Sequence, residues 1–321
     1  MDKSVKQRTL LMIVLVLMVV LVVVLGTFFS SVLSFWQGAD GSVATPTATP
    51  TEIPTPTDTP IPTPTPSPSP TPPPLVNGSS AYVLDATSGR VLLNVQGHLR
   101  VPLWSTTKIM TALLAIERLQ PDQVVTIEQV ELDEVPPGLS TAQLHATDQM
   151  SILHLLYGLL LPSGSDAAVV LAHAVSGETA SFVALMNARA VQLGLSDTHY
   201  NNPYGADEPG HYSSAADLVK LARVAMGYPL FAQIVSTPSY HLDPNLSHYR
   251  YDWTNILAPF LQRYPGANGI KTGSNAAETD WCMVFSAYRT GRLLIGAEMQ
   301  APTEHQVFLD AQNMLDKGFD S

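Results

Sequence analysis

At 321 residues, the chain has room for one large or two ordinary domains. Its formal charge of −11 at pH 7 excludes a nucleic-acid partner, because a phosphate backbone calls for a basic stripe and none is present. The single cysteine, Cys282, excludes an intramolecular disulfide, so a domain outside the cytoplasm must rest on its apolar core.

Residues 1–9 hold Lys3, Lys6 and Arg8 and read as a cytoplasmic N-terminus. Leu10 to Leu25 is an unbroken apolar run, extended by Phe28, Phe29, Val32, Leu33, Phe35 and Trp36. About 20 such residues span a bilayer, and Trp36 suits the interface, so 10–36 reads as a transmembrane signal anchor. No Lys or Arg follows until Arg90, and this asymmetry sends the remainder across a cell membrane. A cleaved signal peptide has a shorter apolar region and small residues at the cut, which Ser34 to Ala39 does not offer. Residues 37–78 form a Thr/Pro-rich linker, with Thr45-Pro46, Thr49-Pro50 and Thr55-Pro56 leading to Pro72-Pro73-Pro74. Proline fixes φ and removes amide donors, so the expectation is a disordered stalk that rises about 3.1 Å per residue where extended.

From residue 79 to 321 the texture is that of a folded domain. Ala81–Asp85 and Arg90–Asn94 are strand-like and flank a turn at Ala86-Thr87-Ser88-Gly89. Thr106 to Leu119 has helical spacing, ended by Pro121. Further helices are predicted over about 150–161, 166–175, 182–193, 215–226 and 304–317, and strands over 269–272, 281–288 and 293–300. Strands at both ends of a helical middle predict an α+β domain whose terminal strands share one sheet.

Three short strings carry candidate chemistry. Ser105 and Lys108 stand three residues apart, so on a helix they share a face within hydrogen-bonding reach. A lysine with a depressed pKa can take the proton of a serine nucleophile. Ser163-Gly164-Ser165 sits between two apolar helices, either as a plain turn with Ser165 capping the next helix, or with Ser163 as a proton relay. Lys271-Thr272-Gly273 is either an edge strand guarded by a lysine or a cationic strand for a substrate carboxylate. There, Lys271 would also depress the pKa of Lys108, and Gly273 would leave room for a substrate backbone. Asp166 reads as a helix N-terminal charge, Cys282 as an inert core residue and His211 as structural. The nine histidines show no metal-ligand spacing, so neither a metal nor another cofactor is expected.

The order of these strings resembles the penicillin-binding fold family, whose Ser-x-x-Lys, Ser-x-Asn and Lys-Thr-Gly elements form one signature. The surrounding text is similar to the low-molecular-weight D-alanyl-D-alanine carboxypeptidases of serine peptidase family S11. It runs through Ser105 to Ala112, Leu155 to Gly164, Asn202-Pro203-Tyr204-Gly205, Pro209 to Ser213, and Gly269 to Gly273. The resemblance implies a β-lactamase/DD-peptidase-like fold, an antiparallel sheet plus a helical subdomain. It also implies removal of the terminal D-alanine of peptidoglycan stem peptides through a Ser105 acyl-enzyme. Lys108 would be general base and Ser163 proton relay; Ser165, Lys271, Thr272, Gly273 and Ser274 would bind substrate. The backbone amides of Ser105 and Ser274 would form the oxyanion hole, and β-lactams would acylate the same serine. Ser165 stands where the family usually has Asn, and Trp104 replaces a small residue before the nucleophile. The rivals are a β-lactamase with Glu208 as deacylating base, a DD-transpeptidase, and a catalytically silent peptidoglycan-binding protein.

Overall fold

The computed structural model describes residues 75–243 and 249–321. The anchor and almost all of the Thr/Pro linker lie outside the described residues. Within the described residues, no single helix is long and apolar enough to cross a membrane.

The N-terminal hairpin forms where the two strand-like runs and their turn predict it, β1 over Ser80–Asp85 and β2 over Val91–Val95. Three late strands complete the sheet: β7 (Ala267–Ser274), β8 (Trp281–Arg289) and β9 (Arg292–Ala301). The order is β2-β1-β9-β8-β7 and every pairing is antiparallel, so the first and last strands of the domain lie side by side. Tyr82 pairs with Ala297, and Thr272 with Met283.

The middle strands are buried on both faces, and their alternation sorts the side chains between two cores. Cys282 and Val284 of β8 join a large helical core, while Met283, Phe285 and Ala287 join a smaller one. The smaller core is closed by Val307, Ala311, Met314 and Leu315 of the C-terminal helix, Glu304–Phe319. The larger core is built on the helix α1 (Lys108–Arg118), with Ile109, Met110, Leu113 and Leu114 fully buried. Beside it stand the helices Ile152–Leu160, Ser165–Ser176, Thr179–Gln192 and Ala215–Ala225.

Several short elements are not foreshadowed by the sequence patterns. They are the strand pair β3 (Val124–Thr126) and β4 (Gln149–Ser151), the five-residue helix Gln129–Asp133, the helices Pro229–Val235 and Ala258–Arg263, and the hairpin of β5 (Ser239–Leu242) and β6 (Tyr251–Thr254). Each is too brief to show a period.

The start of the domain is fastened by buried carboxyl groups. The Asn77 amide donates to Asp310 Oδ2 at 2.8 Å, and the Gly78 amide to Glu298 Oε1 at 2.7 Å. Glu298 and Asp310 are both fully buried. Burial first, then the hydrogen bond to Asp310 and its charge, push the Glu298 carboxyl up to about 9.

Candidate active site

The nucleophile candidate sits where a tight turn becomes a helix. Trp104–Thr107 is one 3₁₀ turn, braced by the Thr106 hydroxyl donating to the Leu103 carbonyl at 2.5 Å, and α1 begins at Lys108. This junction carries Lys108 Nζ to 3.1 Å from Ser105 Oγ. Lys108 is fully buried and no carboxylate touches it. Its amine is held well below the ordinary lysine value, by burial first and by the Lys271 charge second, against an opposing pull from Asp166. The lysine donates to the Tyr204 carbonyl at 2.6 Å.

That carbonyl belongs to a turn set by Asn202, whose Oδ1 accepts from the amides of Gly205 at 2.7 Å and Ala206 at 3.0 Å. Thr111 of α1 donates to the Pro203 carbonyl at 2.6 Å, locking turn to helix. Gly205 has φ +92° and lies against the Trp104 carbonyl so closely that any Cβ would collide with it. The Asn202 turn thus positions the base.

On the sheet, β7 is an edge strand bonded only to β8. Lys271 and Gly273 stand opposite Val284 and Cys282, on the face turned toward the helical core. Lys271 is 2% exposed, donates to the Thr272 carbonyl at 3.0 Å, and burial draws its amine down to about 7. A Cβ on Gly273 would lie 2.8 Å from the Ser105 amide nitrogen and 3.1 Å from that of Thr106. The space a side chain would need on that side is occupied by the protein's own turn, which corrects the expectation that it is left for substrate.

Ser163 adopts φ +65°, left-handed backbone that strains a residue bearing a Cβ. Its hydroxyl is buried and has no hydrogen-bond partner among the described residues. Ser165 is the first residue of its helix, not its cap: the cap is Gly164, and the Ser165 amide donates to the Ser140 carbonyl at 2.8 Å. Asp166 accepts from the amides of Ala142 at 2.7 Å and Leu144 at 3.0 Å, so it also ties down the loop that walls the cleft.

A cleft of about 380 Å³ brings Ser105, Ser163, Ser165, Thr272, Gly273 and Ser274 together, with Lys108 and Lys271 buried behind them. Trp104, Leu139, Asp207, Ile256, Glu278 and Trp281 also line it, and apart from Trp104 the motifs do not point to these. His211 lies outside. The Asn201 amide donates to its Nδ1, which leaves Nε2–H for the Thr107 hydroxyl, and burial draws its pKa down to about 4. It is a neutral strut behind the nucleophile's turn. Cys282 is fully buried and burial raises its thiol, as an inert core residue requires. Among the described residues, no group of His, Cys, Asp and Glu could hold a metal ion.

A serine hydroxyl facing a buried lysine amine, at the edge of an antiparallel sheet covered by helices, defines the active-serine class with the penicillin-binding fold. The D-alanyl-D-alanine carboxypeptidase family, peptidase S11, matches residues 67–303. DacF of Bacillus subtilis (strain 168) is 33% identical over 242 residues, 75% of this chain and 61% of that protein, so the chain spans less than two thirds of that relative. The D-alanyl-D-alanine carboxypeptidase of Streptomyces sp. (strain K15) is 36% identical over 251 residues, 74% of this chain and 86% of that one. DacB2 of Mycobacterium tuberculosis (strain ATCC 25618 / H37Rv) is 39% identical over 224 residues, 68% and 72% of the two chains. The crystal structure of the Streptomyces K15 DD-transpeptidase superposes with a TM-score of 0.72 at 32% identity, covering 77% of this chain and 99% of that one. The chain belongs to the D-alanyl-D-alanine carboxypeptidase family. It is a serine peptidase of that family.

Proposed function

We propose that the chain removes the terminal D-alanine from peptidoglycan stem peptides through a Ser105 acyl-enzyme. The observation that carries this reading is the 3.1 Å contact between Ser105 Oγ and a buried Lys108 whose pKa is depressed. A neutral lysine still donates to Tyr204 and keeps its lone pair for the serine proton. Ser105 Oγ then bonds to the carbonyl carbon of the penultimate D-alanine. Negative charge develops on the carbonyl oxygen, and the amides of Ser105 and Ser274 are its donors, a contribution of about 3–4 kcal/mol per donor. The close passage of Gly273 against Ser105 supports this pairing of amides.

The proton passes from Lys108 by way of the Ser163 hydroxyl to the leaving nitrogen, and D-alanine departs. Water then cleaves the acyl-enzyme. Lys271 and Thr272 take the terminal carboxylate, whose arrival raises the Lys271 pKa and keeps that amine charged. Ser165 lies beside them in the cleft. A β-lactam enters the same path as far as the acyl-enzyme. Glu208, the base a β-lactamase reading requires, is outside the cleft lining and accepts from the Asn202 carboxamide at 3.1 Å.

We place the enzyme at the outer face of a cell membrane, anchored through residues 10–36 and held off it by the Thr/Pro stalk. The apolar run, the basic N-terminus and the proline repeats support this placement. Fluorescent penicillin labelling and D-alanine release from a pentapeptide test the reaction together. Both are expected in the wild type and absent in Ser105→Ala, and an equally labelled mutant overturns the reading. The Streptomyces K15 structure is that of a DD-transpeptidase, which supports transpeptidation as a second outcome, scored by amine acceptors competing with water.

A further inference from the structure

The residue before the nucleophile is held in an unfavourable state. Trp104 has φ +42°, where a bulky side chain is an outlier, and the Gly205 backbone pressed against its carbonyl pins the turn. A glycine would take this φ without strain, so the strained backbone serves to deliver an indole. The ring is 4% exposed and lines the cleft together with Ser105. Its N–H is shut off from solvent and has no hydrogen-bond partner among the described residues. A water that reached this N–H would satisfy it, so the unpaired donor marks a wall that water does not enter.

The rest of the lining has the same character. Leu139, Ile256 and Trp281 continue the apolar surface. Among the described residues no histidine lines the cleft, and its two carboxylates, Asp207 and Glu278, are exposed. Lys108 is the buried base that faces Ser105. A water attacking the Ser105 ester needs two or more polar partners to hold it in line, and the apolar wall headed by Trp104 offers none. An amine on a peptide is brought in by the contacts of its own chain and needs no such cradle.

We propose that Trp104 keeps water off the Ser105 ester, so that the acyl group outlasts hydrolysis and passes preferentially to a primary amine on a second peptide. The inference rests on the Ser105 acyl-enzyme reading and names what decides the fate of that intermediate. D-Alanine has already left by then. In the transfer, the amine nitrogen bonds to the ester carbonyl carbon and the bond from that carbon to Ser105 Oγ breaks. The amine proton returns through Lys108 to Oγ. With water the same bond breaks and the proton follows the same route. The two outcomes differ in which acceptor reaches the ester. Trp104 takes no proton and forms no bond; it excludes the smaller acceptor from a reactive intermediate.

The test follows the intact chain through labelling of Ser105 by fluorescent penicillin, loss of that label to water, and the partition of Nα,Nε-diacetyl-L-lysyl-D-alanyl-D-alanine between hydrolysis and transfer to glycylglycine. Trp104→Gly relieves the strain and opens the wall. It is expected to lose label about tenfold faster than the wild type and to shift the partition about tenfold toward hydrolysis. Trp104→Phe keeps the core filled and shortens the wall by one ring. It is expected to raise both by about threefold, and it decides the matter if the glycine variant does not label. A merely structural role would slow labelling and leave label loss and partition unmoved. Label loss and partition equal to the wild type in Trp104→Phe overturn the proposal, and so does a glycine variant that labels normally and loses label no faster. A wild type that takes no penicillin label sinks the acyl-enzyme reading instead.

Discussion

The Tyr204 carbonyl accepts a 2.6 Å hydrogen bond from Lys108 Nζ, so the amine is moored on one side and faces Ser105, 3.1 Å away, on the other. The mooring depends on Asn202, whose side chain shapes the turn that presents the carbonyl. Asn202→Ala is expected to slow penicillin acylation by about tenfold or more, since small displacements of catalytic groups are costly. Water admitted beside Lys108 would also raise its pKa and move the acidic limb of the acylation profile to higher pH. A loss of rate with an unmoved limb would show that Asn202 serves stability alone.

Gly273 tolerates no side chain, because a Cβ there would press on the Ser105 amide. Gly273→Ala is expected to cost about 1–3 kcal/mol in stability, the usual range for overpacking. Acylation should fall about a hundredfold as the turn shifts. Thermal melts beside penicillin labelling kinetics check both, and an acylation rate within twofold of wild type contradicts the close packing.

Much of this was legible in the sequence, and unevenly so. The outer strands were readable as short apolar runs bounded by turn residues, and the long helices because each runs long enough for a period of 3.6 to show. The Ser105–Lys108 contact followed from spacing alone. The Tyr204 carbonyl could not be found that way, because a main-chain acceptor leaves no side-chain signature; only the family-like Asn202 to Gly205 text pointed toward it. Ser165 misled for another reason. Serine before a helix signals a cap, but here the Ser165 amide is taken by Ser140 and the helix starts one residue earlier. Asp207 and Glu278 stood in turns with no motif, and only the fold brings them to one cleft.

As a proton relay, Ser163 would trade stability for chemistry. Ser163→Gly relieves the left-handed strain and removes an unpaired buried hydroxyl, so stability in denaturant melts should rise by about 1 kcal/mol or more. D-alanine release should fall about a hundredfold, the usual range for losing a proton-transfer group. Release that matches wild type would remove Ser163 from the reaction.

Activity should also depend on pH through Lys271. Its amine titrates at about 7 in the free protein, so the charged form needed for a carboxylate is lost as pH rises through that value. For a peptide acid, kcat/KM is expected to decline above about pH 7. The corresponding limb of kcat lies at higher pH, because bound carboxylate holds the proton on. Coincident limbs would argue against Lys271 as the carboxylate site.

Glu298 gives the fold its own pH signature. Its carboxyl stays protonated to about 9 in the folded chain but releases its proton near 4.5 when unfolded, so its share of stability falls as pH rises between those values. The slope is at most about 1.4 kcal/mol per pH unit for one proton. Glu298→Gln keeps an acceptor for Gly78 and a donor toward Asp310 without the titration. Denaturant unfolding between pH 5 and 9 should therefore show a flatter dependence in the variant. Parallel curves for the two proteins would contradict the raised carboxyl.

The sheet ends at β7, whose outer edge is bonded to no other strand. An extended peptide laid along that edge would be read by amides and carbonyls, which report its direction and handedness and are blind to its side chains. Such a reader would accept any chain ending in the right two residues. Discrimination between one wall chemistry and another must then come from outside the ladder, from the side chains that line the rest of the cleft.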